Sequence, residues 1–136
     1  MELPIRLLLV DDEARVRQGL RMCMAGEPDF DVIGEADEGT AAVHLAEELN
    51  PDVVVMDVRM GGLDGLGATK ELRSHAPGAQ VVILSMHDDS STRAEADRAG
   101  AAAFVGKQEG ISRLFEVIRS IAGREPRGLS QHCTGI

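Results

Sequence analysis

Short runs of continuous aliphatic residues alternate with longer stretches in which apolar residues recur every three or four positions. Ile5–Val10, Val53–Met56 and Val81–Ser85 are nearly all aliphatic, which predicts strands buried on both faces. Phe30–Ala36 and Ala102–Gly106 are shorter on aliphatics but β-like. Between them, Ala14–Met24 carries Val16, Leu20 and Met24 on one helical face, while Arg15, Arg17 and Arg21 fall largely elsewhere. Thr40–Leu49 turns Ala42, Val43, Leu45, Ala46 and Leu49 inward, and Asn50-Pro51 stops it because proline lacks the donor. Leu66–Ser74 and Ser91–Ala99 are helical as well. The last helix, Ile111–Ala122, carries Leu114, Phe115, Ile118 and Ile121, with Gly123 placed as its cap.

Five strand–helix units with aliphatic strands predict an α/β fold: a doubly wound, five-stranded parallel sheet with helices on both faces. Right-handed crossovers make the flavodoxin-like order 2-1-3-4-5 the natural one. The 136 residues suit one such domain. Residues 4–123 are expected to form it. Residues 124–136, with Pro126, Gly128, Ser130 and Gly135, read as a linker or tail.

Composition removes several functions. A net charge of −9 opposes gripping nucleic acid or an anionic membrane, and three phenylalanines without Trp or Tyr give no stacking platform. No apolar run approaches the ~18 residues that span a bilayer. The N-terminus lacks a signal-length apolar core. Two cysteines make neither a disulfide framework nor a zinc ligand set. A cytoplasmic location is the expectation.

The chemistry-bearing residues follow strands. Asp11 and Asp12 close the first, Asp57 the third, Ser85 the fourth and Lys107 the fifth. Open parallel sheets bind ligands outside the carboxyl ends of their strands. Strand order 2-1-3 sets Asp57 one strand spacing, ~4.8 Å, from the acid pair. Three clustered carboxylates repel one another unless a cation intervenes, and all-oxygen donors with room for water suit Mg²⁺. Singly, each residue has an ordinary reading: Asp11-Asp12 as helix caps, Ser85 as a turn residue, Lys107 as a surface charge. Their joint placement on four strand ends favours a pocket. There Asp57 is the nucleophile for a phosphoryl group, Asp11 and Asp12 hold the metal, and Lys107 and Ser85 receive phosphoryl oxygens.

The runs Leu8–Glu13, Pro51–Met60, Leu84–Asp89 and Ala99–Lys107 resemble those of response-regulator receiver domains. The likeness is nearest to the subgroup with a LuxR-type helix-turn-helix output, and Gly34-Glu35-Ala36 shares it. The resemblance implies phosphorylation of Asp57 by a cognate histidine kinase, with Mg²⁺ or Mn²⁺ as cofactor and the Arg59 carbonyl as a further metal ligand. It makes Ser85 the switch hydroxyl, Phe104 the switch aromatic and Lys107 the phosphate contact. A switch domain, not an enzyme, is implied, with a phosphorylation-linked homodimer as one output. DNA would be bound only through a separate C-terminal helix-turn-helix domain. The chain departs from the family at Gly61, where proline is usual, which should loosen the 61–65 loop, and at Gln108, where proline or aspartate is usual. A phosphatase-like enzyme also forms an aspartyl-phosphate, but it would carry a carboxylate where Arg59 stands. A receiver that is never phosphorylated is disfavoured by the intact acids and lysine.

Overall fold

The computed structural model describes residues 3–60 and 62–124. Five strands, β1 (Ile5–Val10), β2 (Phe30–Ala36), β3 (Val53–Met56), β4 (Gln80–Ser85) and β5 (Ala103–Gly106), form one sheet in the order β2-β1-β3-β4-β5. Every neighbouring pair is parallel. The helices are α1 (Ala14–Ala25), α2 (Gly39–Leu49), α3 (Gly65–His75), α4 (Ser90–Ala99) and α5 (Ile111–Ile121). The doubly wound fold is as the hydrophobic pattern predicted.

Continuous aliphatic strands serve two cores because successive side chains point to opposite faces. Ile5, Leu7 and Leu9 of β1, with Val53, Val55, Val82 and Leu84, pack under α1 and α5. Leu8 and Val10, with Val54, Met56, Val81 and Ile83, pack under α2, α3 and α4. On α1, Leu20 and Met24 are buried and Val16 is half-buried. On α2, Leu45 and Leu49 reach only half-burial beside fully covered Ala42, Val43 and Ala46.

Boundaries differ from the sequence expectations by a residue or so, and the caps explain why. Asp64 accepts the Gly67 N–H at 2.8 Å, and Asp89 accepts from Thr92 N–H at 3.2 Å. These carboxylates start α3 and α4 one residue ahead of the apolar period. The Gly65–Lys70 stretch forms the start of α3. A 3₁₀ turn at Lys107–Glu109, unforeseen from the pattern, joins β5 to α5. Gly123, with φ 75°, lets Arg124 N–H reach the Arg119 carbonyl at 2.8 Å and its own N–H reach Ser120 at 3.1 Å, closing α5. The loosening expected at Gly61 and the linker beyond Arg124 fall outside the described residues.

A buried charged cluster adjoins the first core. Arg119 of α5, 4% exposed, donates to Glu27 at 2.7 Å and to Asp29 at 2.8 and 2.9 Å. Its guanidinium lies 4.5 Å from the Phe30 ring centre, and Phe30 meets Phe115 edge-on at 4.9 Å. The cluster fastens α5 to the start of β2.

Candidate metal centre

The sheet ladder places the acids. Asp57 N–H donates to the Val10 carbonyl at 3.0 Å, and Asp11 N–H donates to Ala36 at 3.2 Å, so both acids leave the sheet in register. One carboxylate oxygen from each of Asp11, Asp12 and Asp57 lies within 4.8 Å of the others. Asp11 is buried, Asp57 half-buried and Asp12 exposed, a gradient that leaves the outer side open to water. Neither Asp11 nor Asp12 caps α1 with its side chain: Glu13 is the N-cap residue and makes no side-chain cap. Asp11 instead accepts the Glu13 N–H at 2.8 Å, which fixes its carboxylate over the pocket.

Gly65 makes the close packing below Asp57 possible. A Cβ there would overlap the Asp57 carbonyl oxygen, and Gly65 N–H donates to Val58 at 2.9 Å. The start of α3 is thereby pressed against the end of β3.

Lys107 enters from the far edge of the sheet. Its Nζ lies 3.4 Å from Asp11 Oδ2, with the lysine side chain only 9% exposed. Ser85 is fully buried at the end of β4, beside Gly106 in the β4–β5 register, and its hydroxyl oxygen accepts the His87 N–H at 3.0 Å. The pocket therefore brings together Asp11, Asp12, Asp57 and Lys107, with Ser85 one strand away. Phe104 stands apart from the acids. It is half-buried on β5, opposite Ile83, with the Arg93 guanidinium 4.6 Å from its ring centre.

Electrostatics single out Asp57. Burial, then the neighbouring Asp11 charge, pushes its carboxyl up from 3.8 to about 6; Lys107 and a hydrogen bond from the Arg59 N–H oppose the rise, and Asp12 adds a little to it. A group that resists ionising beside two acids is relieved by a cation. Hard oxygen donors and an open outer side fit Mg²⁺, which takes oxygen ligands and keeps several waters.

Comparison with known proteins agrees with this geometry. The family profile described as the response regulator receiver domain matches residues 7–119. The chain belongs to that family. It is 37% identical over 123 residues to the transcriptional regulatory protein LiaR of Bacillus subtilis, covering 90% of this chain and 58% of LiaR. To DegU of Brevibacillus brevis it is 34% identical, covering 87% of this chain and 50% of DegU. This receiver domain thus spans between half and three-fifths of those relatives. Among solved structures, the response regulator domain of Thermotoga maritima CheB superposes with a TM-score of 0.81 at 36% identity, covering 90% of this chain and 99% of that one. The receiver domain of the putative response regulator NarL from Mycobacterium tuberculosis gives 0.80 at 30%, covering 90% and 96%. Among the described residues no helix is long and apolar enough to cross a membrane.

The receiver's pocket also uses groups that the sequence did not single out. The Arg59 backbone N–H, beside the carbonyl already named, hydrogen-bonds to Asp57. Arg17 of α1 donates to the Asp11 carbonyl and pairs with Glu35 of β2 at 3.1 Å, bracing the acid loop from behind. Arg17 borders the apolar face of α1 and is half-buried there.

Proposed function

We propose that this receiver domain, residues 4–123, accepts a phosphoryl group on Asp57 from a histidine kinase and thereby switches an output. The convergence of three acids and a shielded lysine at adjoining strand ends carries the reading. An Asp57 carboxylate oxygen attacks phosphorus, the P–N bond to the donor imidazole breaks, and the imidazole leaves with the electron pair. Asp11, Asp12, the Asp57 carboxylate and the Arg59 carbonyl would hold Mg²⁺ or Mn²⁺. The ion supplies charge neutralisation for the transferred group. Lys107, now against Asp11, is within one swing of a phosphoryl oxygen on Asp57. Ser85 keeps its hydroxyl proton for another.

Donation by Ser85 draws the β4–α4 loop toward the pocket and opens room behind it. The Phe104 ring turns into that room, changing the face made by α4, β5 and α5. A homodimer on that face is one output. Transcriptional control is the other: the relatives include transcriptional regulators of which this receiver covers about half. In that reading the domain works in the cytoplasm and DNA is bound by a separate C-terminal helix-turn-helix domain.

Incubation with acetyl phosphate, with and without Mg²⁺, followed by intact mass measurement tests the proposal. One acid-labile phosphoryl group should appear, dependent on the metal. Asp57→Asn should take none, since the amide is nearly isosteric but a poor nucleophile, and Asp12→Ala should slow labelling greatly. Undiminished labelling of Asp57→Asn would overturn it.

A further inference from the structure

Lys107 is aimed by a loop with little stiffness of its own. Gly106 precedes it, and Gly110, with φ 90°, ends its 3₁₀ turn. The ammonium is nonetheless held 3.4 Å from Asp11. Side-chain ties supply the constraint. Within the loop, the Glu109 carboxylate accepts the Gly106 N–H at 2.6 Å, and the Lys107 carbonyl accepts the Gly110 N–H at 3.3 Å. Between loops, the Gln108 amide donates to Asp88 Oδ2 at 2.5 Å. Arg93 of α4 donates to Asp88 and, at 3.2 Å, to Glu109. Asp88 lies three residues beyond Ser85, so these ties join the loops that carry the two phosphate-reading side chains.

Gly106 lies directly under the same arrangement. Its φ of −75° and ψ of 140° are ordinary extended values, so conformation does not require glycine there. A side chain there would nonetheless disturb the tie: a Cβ would come within 2.7 Å of both terminal Gln108 amide atoms and 2.9 Å of Asp88 Oδ2, so these side-chain ends would have to move aside. The cross-tie runs directly over the bare backbone before the lysine.

We propose that Asp88 and Gln108, braced by Arg93 and Glu109, are positioning residues that hold the Lys107 loop against the β4–α4 loop and keep the ammonium over the acid pocket. Its kinetic consequence rests on the reading of Asp57 as phosphoacceptor. Exposed ion pairs add little stability singly. Loss of these ties therefore shows in where Lys107 points, not in whether the domain folds.

The test compares wild type with Gln108→Ala, Gly106→Ala, their double variant, and each single change on a Lys107→Ala background. The first readout needs no phosphorylation: the Cε–Nζ correlation of Lys107 by NMR. It should move toward the free-lysine position in Gln108→Ala and in Gly106→Ala, with unfolding midpoints unchanged. The second is the initial rate of labelling by acetyl phosphate at saturating Mg²⁺. That rate should fall roughly tenfold in each, because a misplaced charge stabilises the transferred group poorly. The Mg²⁺ concentration for half-maximal rate should stay the same, since the acids are untouched. The double variant should be no worse than either single one, and neither change should matter once Lys107 is absent. An unmoved Lys107 resonance in Gln108→Ala overturns the proposal, as does equal slowing on the Lys107→Ala background. If Lys107 moves as expected while wild type takes no label, the positioning role stands and Asp57 as acceptor falls.

Discussion

Replacing Asp57 by asparagine should stabilise the metal-free domain at neutral pH and leave it unchanged in acid. The carboxyl is pushed from 3.8 to about 6 by burial and by Asp11, so the folded state binds its proton more readily than the unfolded chain. Below pH 3.8 both states carry that proton and no penalty exists. Between 3.8 and about 6 the unfolded chain ionises first, so stability falls as pH rises, and above about 6 the full penalty is present. At about 1.4 kcal/mol per pH unit the rise corresponds to about 3 kcal/mol. Asp57 is only half-buried, and solvent screening brings the expected gain to about 1–1.5 kcal/mol. In a domain of this size that is a melting shift of about 3–6 °C.

With no Trp and no Tyr in the chain, urea unfolding is best followed by far-ultraviolet circular dichroism, in chelator, at pH 4, 6 and 8. The difference between asparagine variant and wild type should be near zero at pH 4 and largest at pH 8. Mg²⁺ should then narrow the gap. An ion present at ten times its dissociation constant stabilises wild type by about 1.4 kcal/mol, and the variant, one carboxylate short, gains less. A destabilised variant at pH 8, or a difference that ignores pH, would refute the account of the pocket as strained by its own charge.

Arg119→Ala withdraws the buried guanidinium shared by Glu27 and Asp29 and should cost about 3–5 kcal/mol by urea unfolding; a loss under about 1 kcal/mol would show the cluster to be solvated. Gly65→Ala forces a Cβ into the Asp57 carbonyl, so Mg²⁺ binding by calorimetry should weaken together with a stability loss of about 1–3 kcal/mol. Unaltered Mg²⁺ affinity would mean that α3 yields without moving β3. Beryllofluoride with Mg²⁺ should raise the sedimentation coefficient toward that of a dimer as protein concentration rises. Identical sedimentation with and without it at every concentration would remove the homodimer as an output.

The fold was legible because the strands are almost wholly aliphatic, and an unbroken run such as Leu7–Val10 fits only a strand covered on both sides. The helix starts were legible to within a residue, and the missing residue in each case lies next to a capping carboxylate, Glu38, Asp64 or Asp89. The 3₁₀ turn at Lys107–Glu109 left no apolar period to read. The acids and Lys107 stood out because each directly follows a strand, and strand order alone then brings them together.

What escaped the sequence shares one property: its meaning depends on a partner far along the chain. Arg93 and Arg98 both sit on α4, yet only Arg93 lies on the Phe104 ring and joins Asp88 to Glu109. Nothing local separates the two, since the distinction is made by where β5 runs beneath the first turn of α4. Gln108 is the sharper case. Set beside a lysine loop that commonly has proline or aspartate at this position, it reads as a loss of definition, because only the distant Asp88 reveals that its amide is anchored. Arg119 left a usable trace. It falls four residues after Phe115 and directly after Ile118, on the apolar face of α5, and a cation placed there must find buried acids. Glu27 and Asp29, flanking Pro28 just before β2, were the acids within reach once the sheet order had brought β2 and α5 to the same side. Period alone therefore says which side chains go inside, and topology must be added before a buried charge can be assigned its partner.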